Sequence, residues 1–250
     1  MLAVISPAKK MNFDPLDGVD ATYPALQEDA NILAGHAKKF SVSKLREMMK
    51  LSEDLAKLNK ERFAAFADAS NDLNSKQAGF AFAGDTYQGL QIETFSASDL
   101  AYSQDHLRIL SGLYGALRPL DRIQPYRLEM GRRMKTKAGE TLYDFWGARI
   151  AGALDEVSDG TVINLASNEY FKAAKKNLQS TVITPQFKED RDGDLKTIGF
   201  FAKKARGMMA RFIVKNRIKD LESLKGFDEE GYAFQAKLSN ATTFVFTRKS

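Results

Sequence analysis

A segment in the last quarter of the chain carries six cations and no acidic residue. At about 100° per residue, the apolar residues Ala205, Met209 and Phe212 of this segment form one stripe along a helix. The cations form two rows beside that stripe: Lys204, Arg211 and Lys215 on one side, and Lys203, Arg206 and Arg217 on the other. A solvated helix face normally mixes both signs of charge, so this pattern favours an anionic partner such as nucleic acid phosphates. A plain solvated face is the alternative.

Positive charge is concentrated in two windows. From Lys196 to Lys219 there are eight Lys and Arg residues and no acid, and from Arg108 to Lys137 there are eight against two acids, while the whole chain has a net charge of only +5. Guanidinium groups pair with phosphate in a forked geometry that lysine lacks. Four arginines of the second window are therefore candidate phosphate ligands: Arg108, Arg118, Arg122 and Arg127.

The stretch Leu107-x-x-Leu110-Ser111-Gly112-Leu113 resembles the first half of a helix-hairpin-helix. In that motif a glycine turn directs backbone amides at a phosphate. Gly112 and Gly115 are three residues apart rather than the usual two, and Pro119 limits a second helix. The alternative is an ordinary turn between structural elements, with the two glycines making no contact with DNA.

Three polar segments follow predicted strands and are expected to line one cleft, because functional loops collect at strand ends. They are SPAKK, FAGDTYQGL and NLASNEYFK, and their candidate cleft residues are Ser6, Lys9, Lys10, Asp85, Tyr87, Asn164, Ser167, Glu169 and Tyr170. Ordinary turn chemistry is the alternative, since Asp, Asn and Ser satisfy loop backbones in many proteins. If the cleft is an active site, the candidate acid, base and clamp residues are Lys9, Asp85, Arg127 and Glu129.

Several kinds of chemistry are excluded by composition. The chain has no cysteine and only two histidines, which rules out disulfides, thiolate metal sites and histidine-rich metal sites. It contains no G-x-S-x-G, H-E-x-x-H, G-x-G-x-x-G or Walker motif. We therefore expect no cofactor and no metal site, and no residue is marked as catalytic by a motif.

The predicted elements favour one mixed α/β domain over residues 1–250, with a mixed or largely antiparallel sheet. The pattern predicts strands at LAVIS, GFAFAGD and TVINLAS and two C-terminal strand pairs, STVITPQF with DLKTIGFF and GYAFQA with TTFVFTR. It predicts helices over 25–39, 43–50, 53–67, 98–112, 143–157 and 203–217, with Ser52 as an N-cap.

No apolar run approaches the roughly 20 residues that cross a bilayer, and the first residues lack the features of a signal peptide. We expect a soluble cytoplasmic protein with no membrane partner. No pattern in the sequence indicates an oligomeric state.

Six blocks of the sequence resemble the YaaA peroxide-stress-resistance family. They are ISPAK, FxGDxYxGL, LRxLSGLYGxLRPLDxxQPYRLEMG, LYxFWG, NLASxEYFK and FxAKKARGxMxRF, and they span essentially the whole chain in the family's order. The resemblance implies a cytoplasmic bacterial protein of the hydrogen-peroxide response, linked to lower free iron and to DNA protection. It also implies a family-specific fold with a basic cleft and a helix-hairpin-helix that bind DNA. Leu107 to Arg118 would match that motif, and AKKARG would supply Lys203, Lys204 and Arg206.

Three functions follow from these patterns. The first is binding of duplex or branched DNA through phosphates, with little sequence preference. The second is an enzyme acting on a small anionic or nucleotide-like substrate, which requires Lys9, Asp85, Arg127 and Glu129 to converge in a deep pocket. The third is iron handling through carboxylates alone.

Overall fold

The computed structural model of the chain describes residues 1–249. The strands are β1 Leu2–Ile5, β2 Lys10–Met11, β3 Lys76–Gln77, β4 Phe82–Ala83, β5 Leu107–Ser111, β6 Gly115–Leu117, β7 Arg122–Ile123, β8 Thr161–Leu165, β9 Thr181–Arg191, β10 Asp194–Lys196, β11 Ala233–Phe234 and β12 Thr243–Lys249. The helices are α1 Gln27–Lys38, α2 Val42–Met49, α3 Glu53–Ala65, α4 Ala78–Ala81, α5 Asp85–Leu90, α6 Ala97–His106, α7 Leu142–Trp146, α8 Arg149–Asp155, α9 Asn168–Lys175, α10 Gly199–Lys215 and α11 Leu221–Leu224, with 3-10 turns at Ile92–Thr94, Glu229–Gly231 and Ala236–Leu238.

A mixed eight-stranded sheet organises the domain. Its order is β11-β12-β9-β8-β1-β5-β6, and β10 pairs with β9 outside this path. β1 runs parallel to β5 and β8, and β9 runs parallel to β8 and β12. The antiparallel pairs lie further out, at β6, β10 and β11. The predicted mixed sheet in a single domain is confirmed, but most of its strand pairs are parallel rather than antiparallel.

The position of β1 follows from its composition. All four residues of Leu2–Ile5 are buried, as expected of a continuous apolar run covered on both faces in a parallel sheet. α10 packs on β1, β8 and β9, while α9 packs on β5 and α8 on β6. One hydrophobic core joins these helices to the sheet.

The helix-hairpin-helix expected at Leu107 to Arg118 is wrong. α6 ends at His106, and the chain continues as the buried strand β5 between β1 and β6. β5 and β6 form a β-hairpin, and Gly115 turns the chain with a φ of +71°. Every residue of β5 is buried, and the burial of this apolar segment in the sheet outweighs its helical spacing.

The other predicted elements agree with the structure in most places. The structure confirms the helices at 25–39, 43–50, 53–67 and 203–217, the strand TVINLAS and the pairing of GYAFQA with TTFVFTR. The pairing of STVITPQF with DLKTIGFF is confirmed only in part, because β10 covers Asp194–Lys196 and the residues from Gly199 onward begin α10. Ser52 caps α3, because its hydroxyl accepts a hydrogen bond from the Leu55 amide. The helix predicted over 143–157 is interrupted at Gly147, which has a φ of 50°. GFAFAGD forms the short helix α4 followed by the two-residue strand β4.

Within residues 1–249, no helix has both the length and the apolar character required to span a membrane.

Candidate functional site

A cavity of about 440 Å³ lies beyond the ends of β1 and β8. These neighbouring strands are parallel, so the segments that follow them leave the sheet at the same edge, where α/β proteins commonly bind ligands. The lining residues are Ser6, Pro7, Ala8, Lys9, Lys10, Ala83, Gly84, Asp85, Thr86, Tyr87, Glu129, Leu165, Ser167, Glu169, Tyr170, Lys203 and Arg206.

Hydrogen bonds hold three wall segments of this cavity together. The Ser167 amide donates to Ser6 Oγ at 2.8 Å, which joins the segments after β8 and β1. The Tyr87 hydroxyl of α5 donates to the Ser6 carbonyl oxygen at 3.1 Å. Burial raises the pKa of Tyr87 and Tyr170 above the ordinary value, so both phenols stay protonated. The wall therefore carries fixed hydroxyl groups.

Two glycines bring α5 and α10 into direct backbone contact. Gly89 of α5 lies against the Lys204 carbonyl, and Gly207 of α10 lies against the Thr86 carbonyl. Neither position has room for a Cβ atom. The crossing places Asp85 and Lys203 on one wall, with 3.6 Å between Asp85 Oδ2 and Lys203 Nζ.

Glu129 is a buried carboxylate surrounded by cations. It is 3% exposed and accepts hydrogen bonds from Arg127 Nη2 at 3.1 Å and Arg132 Nε at 3.2 Å. Lys9 Nζ lies 4.0 Å from Glu129 Oε1. Burial by itself would raise the pKa of Glu129, but the hydrogen bond from Arg132 and the charges of Arg127 and Arg132 outweigh it and hold the pKa below 4.5. Glu129 is therefore ionised and fixes the cations around it.

Glu129→Gln is expected to lower the free energy of unfolding by about 2 kcal/mol at neutral pH, because the amide removes the negative charge and leaves only one acceptor oxygen for the two arginines. The pKa of Glu129 is lower in the folded than in the unfolded protein. The difference in free energy of unfolding between the wild type and the variant is therefore complete above about pH 4.5, and it is lost as the pH falls through the folded pKa. Urea denaturation of both proteins across this range measures the difference. A difference that does not change with pH would contradict the assignment.

Arg206 is a cation that the described residues, 1–249, leave without a hydrogen-bond or ion-pair partner. It is partly buried on the cavity wall and makes no hydrogen bond or ion pair with any of residues 1–249. Burial lowers the pKa of its guanidinium below the ordinary value. A desolvated guanidinium with free donors is the chemical arrangement that an incoming anion stabilises.

A second cavity of about 360 Å³ adjoins the first. Both are lined by Lys9 and Lys10, and the second is also lined by Arg62 and Arg127. Arg62 has no hydrogen bond or ion pair within the described chain, and burial together with the charge of Arg127 lowers its pKa. The two cavities share Lys9 and Lys10, and we use the name cationic groove for the six cations that line one or both of them: Arg62, Arg127, Lys9, Lys10, Lys203 and Arg206.

The residues predicted from the three strand exits lie mostly around the first cavity. Ser6, Lys9, Lys10, Asp85, Tyr87, Ser167, Glu169 and Tyr170 all line it. Asn164 does not. It lies in β8, its side-chain oxygen accepts from the Ala166 amide, and it lines a different cavity with Asn168 and Lys172. Lys9, Asp85 and Glu129 line the first cavity, whereas Arg127, the fourth residue that the enzyme hypothesis places there, lines the second cavity and pairs with Glu129.

Of the residues predicted to contact DNA, those in the β5–β6 hairpin are buried. Gly112 packs against the Leu128 carbonyl and Gly115 against Trp146. Arg108 is 7% exposed and donates to the carbonyl oxygens of Gln104 and Leu107. The Leu113 and Tyr114 amides of this turn donate to Ser111 Oγ, so these amides and the Arg108 guanidinium are used within the fold.

Most of the remaining predicted cations are paired within the protein. Arg118 forms an ion pair with Asp121, and Arg122 forms one with Asp72. On the first row of α10, Lys204 pairs with Glu230, Arg211 with Glu229, and Lys215 donates to the Thr94 carbonyl oxygen. Lys203, Arg206 and Arg127 are the predicted DNA-binding residues that lie on the cationic groove.

Sequence reasoning missed Arg62 and Arg132. Arg62 lies on α3 next to Glu61, far along the chain from both basic windows, so no local pattern singles it out. Arg132 is inside the second window but became significant only through its hydrogen bond to Glu129. Across residues 1–249, no group of three or more His, Asp or Glu side chains is arranged to hold a metal ion.

The fold and the cavity define a single-domain mixed α/β protein with a polar, cation-rich site at the carboxyl ends of its parallel strands. The chain belongs to the YaaA family of peroxide stress proteins, because the family model described as "Peroxide stress protein YaaA" matches residues 1–238.

Relatives of nearly equal length support this assignment. A UPF0246 protein of Dinoroseobacter shibae is 52% identical over 253 residues, covering 99% of this chain and 95% of the relative. One from Maricaulis maris is 52% identical over 255 residues, covering 99% and 96%. One from Acaryochloris marina is 48% identical over 251 residues, covering 99% and 100%.

Proposed function

We propose that this protein binds duplex or branched DNA with little sequence preference, through phosphate contacts along the cationic groove, as its part in the peroxide stress response. The observation that carries the proposal is that two cavities with Lys9 and Lys10 in common are lined by six cations. The family resemblance also implies a lower level of free intracellular iron, and we include this effect in the same proposed role in the stress response. Anaerobic titration of the chain with Fe²⁺ tests separately whether the protein binds iron.

Charge along the groove favours a polyanion. Arg62 and Arg206, toward opposite ends, have no partner among residues 1–249, and Lys10 also forms no ion pair there. Phosphates can therefore contact these three side chains without breaking an existing salt bridge. Neutralising phosphates in this way releases counterions from DNA, which provides affinity that does not depend on sequence.

Salt-dependent binding tests the proposal with two variants of equal net charge. The groove variant replaces Arg62, Lys10 and Arg206 by Ala, and the control replaces Lys204, Arg211 and Lys215 by Ala. The groove variant is expected to lose about 0.9 per lost phosphate contact from the slope of log K against log[salt]. The control variant is expected to keep the wild-type slope, because its cations already pair within the protein.

Fluorescence anisotropy with a duplex, a four-way junction and a scrambled-sequence duplex measures both slopes. Equal losses in the two variants would mean that net charge alone governs binding. Unchanged binding in the groove variant would refute the groove as the contact surface.

A further inference from the structure

We infer that the first cavity holds the phosphate monoester of one nucleotide, with Arg206 and Lys203 as its main ligands. This inference rests on the proposed function and deepens it, because it names the group that occupies the cavity within the DNA-binding groove. The monoester could be carried by a DNA chain end or by a free nucleotide, and the experiment below distinguishes these sources.

The size of the cavity selects a small occupant. Its volume of about 440 Å³ lies within the roughly 300–1,000 Å³ typical of small-molecule sites. A DNA duplex that lies along the groove can bring a phosphate to the mouth of this cavity but is too wide to enter it, whereas one nucleotide at a chain end can do so. The cavity is therefore expected to hold one nucleotide, whereas duplex DNA lies along the open surface of the groove.

The charge balance favours an anion. Four cations line the cavity, namely Lys9, Lys10, Lys203 and Arg206, against three acids, namely Asp85, Glu129 and Glu169. Arg127 and Arg132 add two further cations that bind Glu129. Six cations against three acids leave an excess of three positive charges. A phosphate monoester carries about −1.5 to −2 near neutral pH, more than the single charge of a backbone diester.

The available donors suit phosphate oxygens. Arg206 has no partner within residues 1–249, and its guanidinium carries five N–H donors in a planar fork. In the part of the chain that the structure describes, Lys203 has a single ion pair, at 3.6 Å from Asp85, so its ammonium can turn to a phosphate at little cost. A monoester offers three strong acceptor oxygens, enough for both side chains.

Other parts of the wall suit a nucleoside. Tyr87 and Tyr170 line the cavity and are only 7% and 9% exposed, so the small exposed parts of these fixed rings border the space for a base or sugar. The Asp85 and Glu169 carboxylates are acceptors for sugar hydroxyl or base amino groups. The Glu169 carboxylate also accepts from the Gly131 amide at 2.9 Å, which fixes its position.

Calorimetric titration with thymidine 5′-monophosphate, thymidine and inorganic phosphate tests the inference on the full chain. The monophosphate is expected to bind at least roughly tenfold more tightly than thymidine, because a charge-assisted contact to a buried cation is lost without the phosphate. Arg206→Met should weaken the monophosphate by roughly tenfold or more. Arg206→Lys should restore part of this loss, and Lys215→Ala, which lies outside the groove and donates to the Thr94 carbonyl oxygen, should have no effect.

Titration with short oligonucleotides that carry a 5′-phosphate, a 3′-phosphate or hydroxyl ends identifies whether a DNA chain end or a free nucleotide supplies the monoester. Tighter binding of a phosphorylated end, lost in Arg206→Met, supports a DNA chain end. Preference for the free monophosphate with no effect of end phosphorylation supports a free nucleotide. Equal affinity for thymidine and its monophosphate, with equal binding of all oligonucleotides, would overturn the inference.

Salt-dependent duplex binding by the same preparation would leave the proposed DNA binding intact, and thermal melting checks that each variant is folded.

Discussion

Gly207→Ala is expected to lower the free energy of unfolding by about 3 kcal/mol, at the upper end of the usual cost of overpacking. A Cβ atom at this position would collide with the Thr86 carbonyl oxygen and crowd the Leu90 amide. Both obstacles are backbone atoms of α5, so no side-chain rotation relieves the clash. Urea denaturation followed by circular dichroism measures the loss.

The same change is expected to damage the site. α5 must move away from α10, which separates Asp85 and Tyr87 from Lys203 and Arg206. The monophosphate should therefore bind more weakly to Gly207→Ala even under conditions where the protein is folded. Gly89→Ala, which meets the Lys204 carbonyl from the other helix, should reproduce both effects.

Gly35→Ala is the matched control. Gly35 lies within α1, and a Cβ atom there would meet nothing within 4 Å. Alanine is the better helix former, so this variant is expected to gain roughly 0.5–1 kcal/mol. Similar stability changes in Gly207→Ala and Gly35→Ala would show that α5 and α10 do not pack as closely as described.

Trp146→Ala is expected to cost about 3–5 kcal/mol, the range for truncating a fully buried aromatic residue. The indole is 0% exposed and fills the space beside Gly115 at the β5–β6 turn. Its Nε1 donates to the Gly112 carbonyl oxygen at 3.1 Å, so the variant also leaves a buried acceptor without its partner. Denaturation monitored by circular dichroism measures the loss, since this is the chain's single tryptophan.

Trp146→Phe separates the two contributions. Phenylalanine keeps most of the buried apolar surface but cannot donate to Gly112, so an intermediate loss is expected. If both variants were as stable as the wild type, the β5–β6 turn would not depend on α7. The two variants also test whether this segment forms a β-hairpin rather than a helix-hairpin-helix. A glycine turn that contacts DNA has to be exposed, whereas the Trp146 indole covers Gly115 here.

The strand exits illustrate how far local patterns reach. Ser6 and Ser167 follow short apolar runs that form strands in almost any mixed sheet, and parallel neighbours end at the same edge. Their convergence was therefore predictable. Asn164 was misplaced because it lies one residue before the end of β8, where its side chain is used to hold the Ala166 amide.

The LRILSG segment shows where local patterns mislead. Its leucines have helical spacing, but Leu107–Ser111 is an equally good buried strand. The choice depends on β1 and β6, which flank it in the sheet. Arg108 is consequently enclosed in the fold, although its sequence neighbourhood resembles a phosphate-binding turn.

The sequence alone determined the composition of the site, the exclusion of cysteine chemistry, most of the helices and strands, and the resemblance to the family. Only the tertiary structure decided which cations are free. Lys204 and Arg211 lie on an acid-free helix, yet Glu229 and Glu230 neutralise them from a later turn. Arg206 on the same helix has no such partner within residues 1–249, and Arg62 joins it from α3. Charge pairing depends on distance in space rather than along the chain, so the groove exists only once the elements are packed.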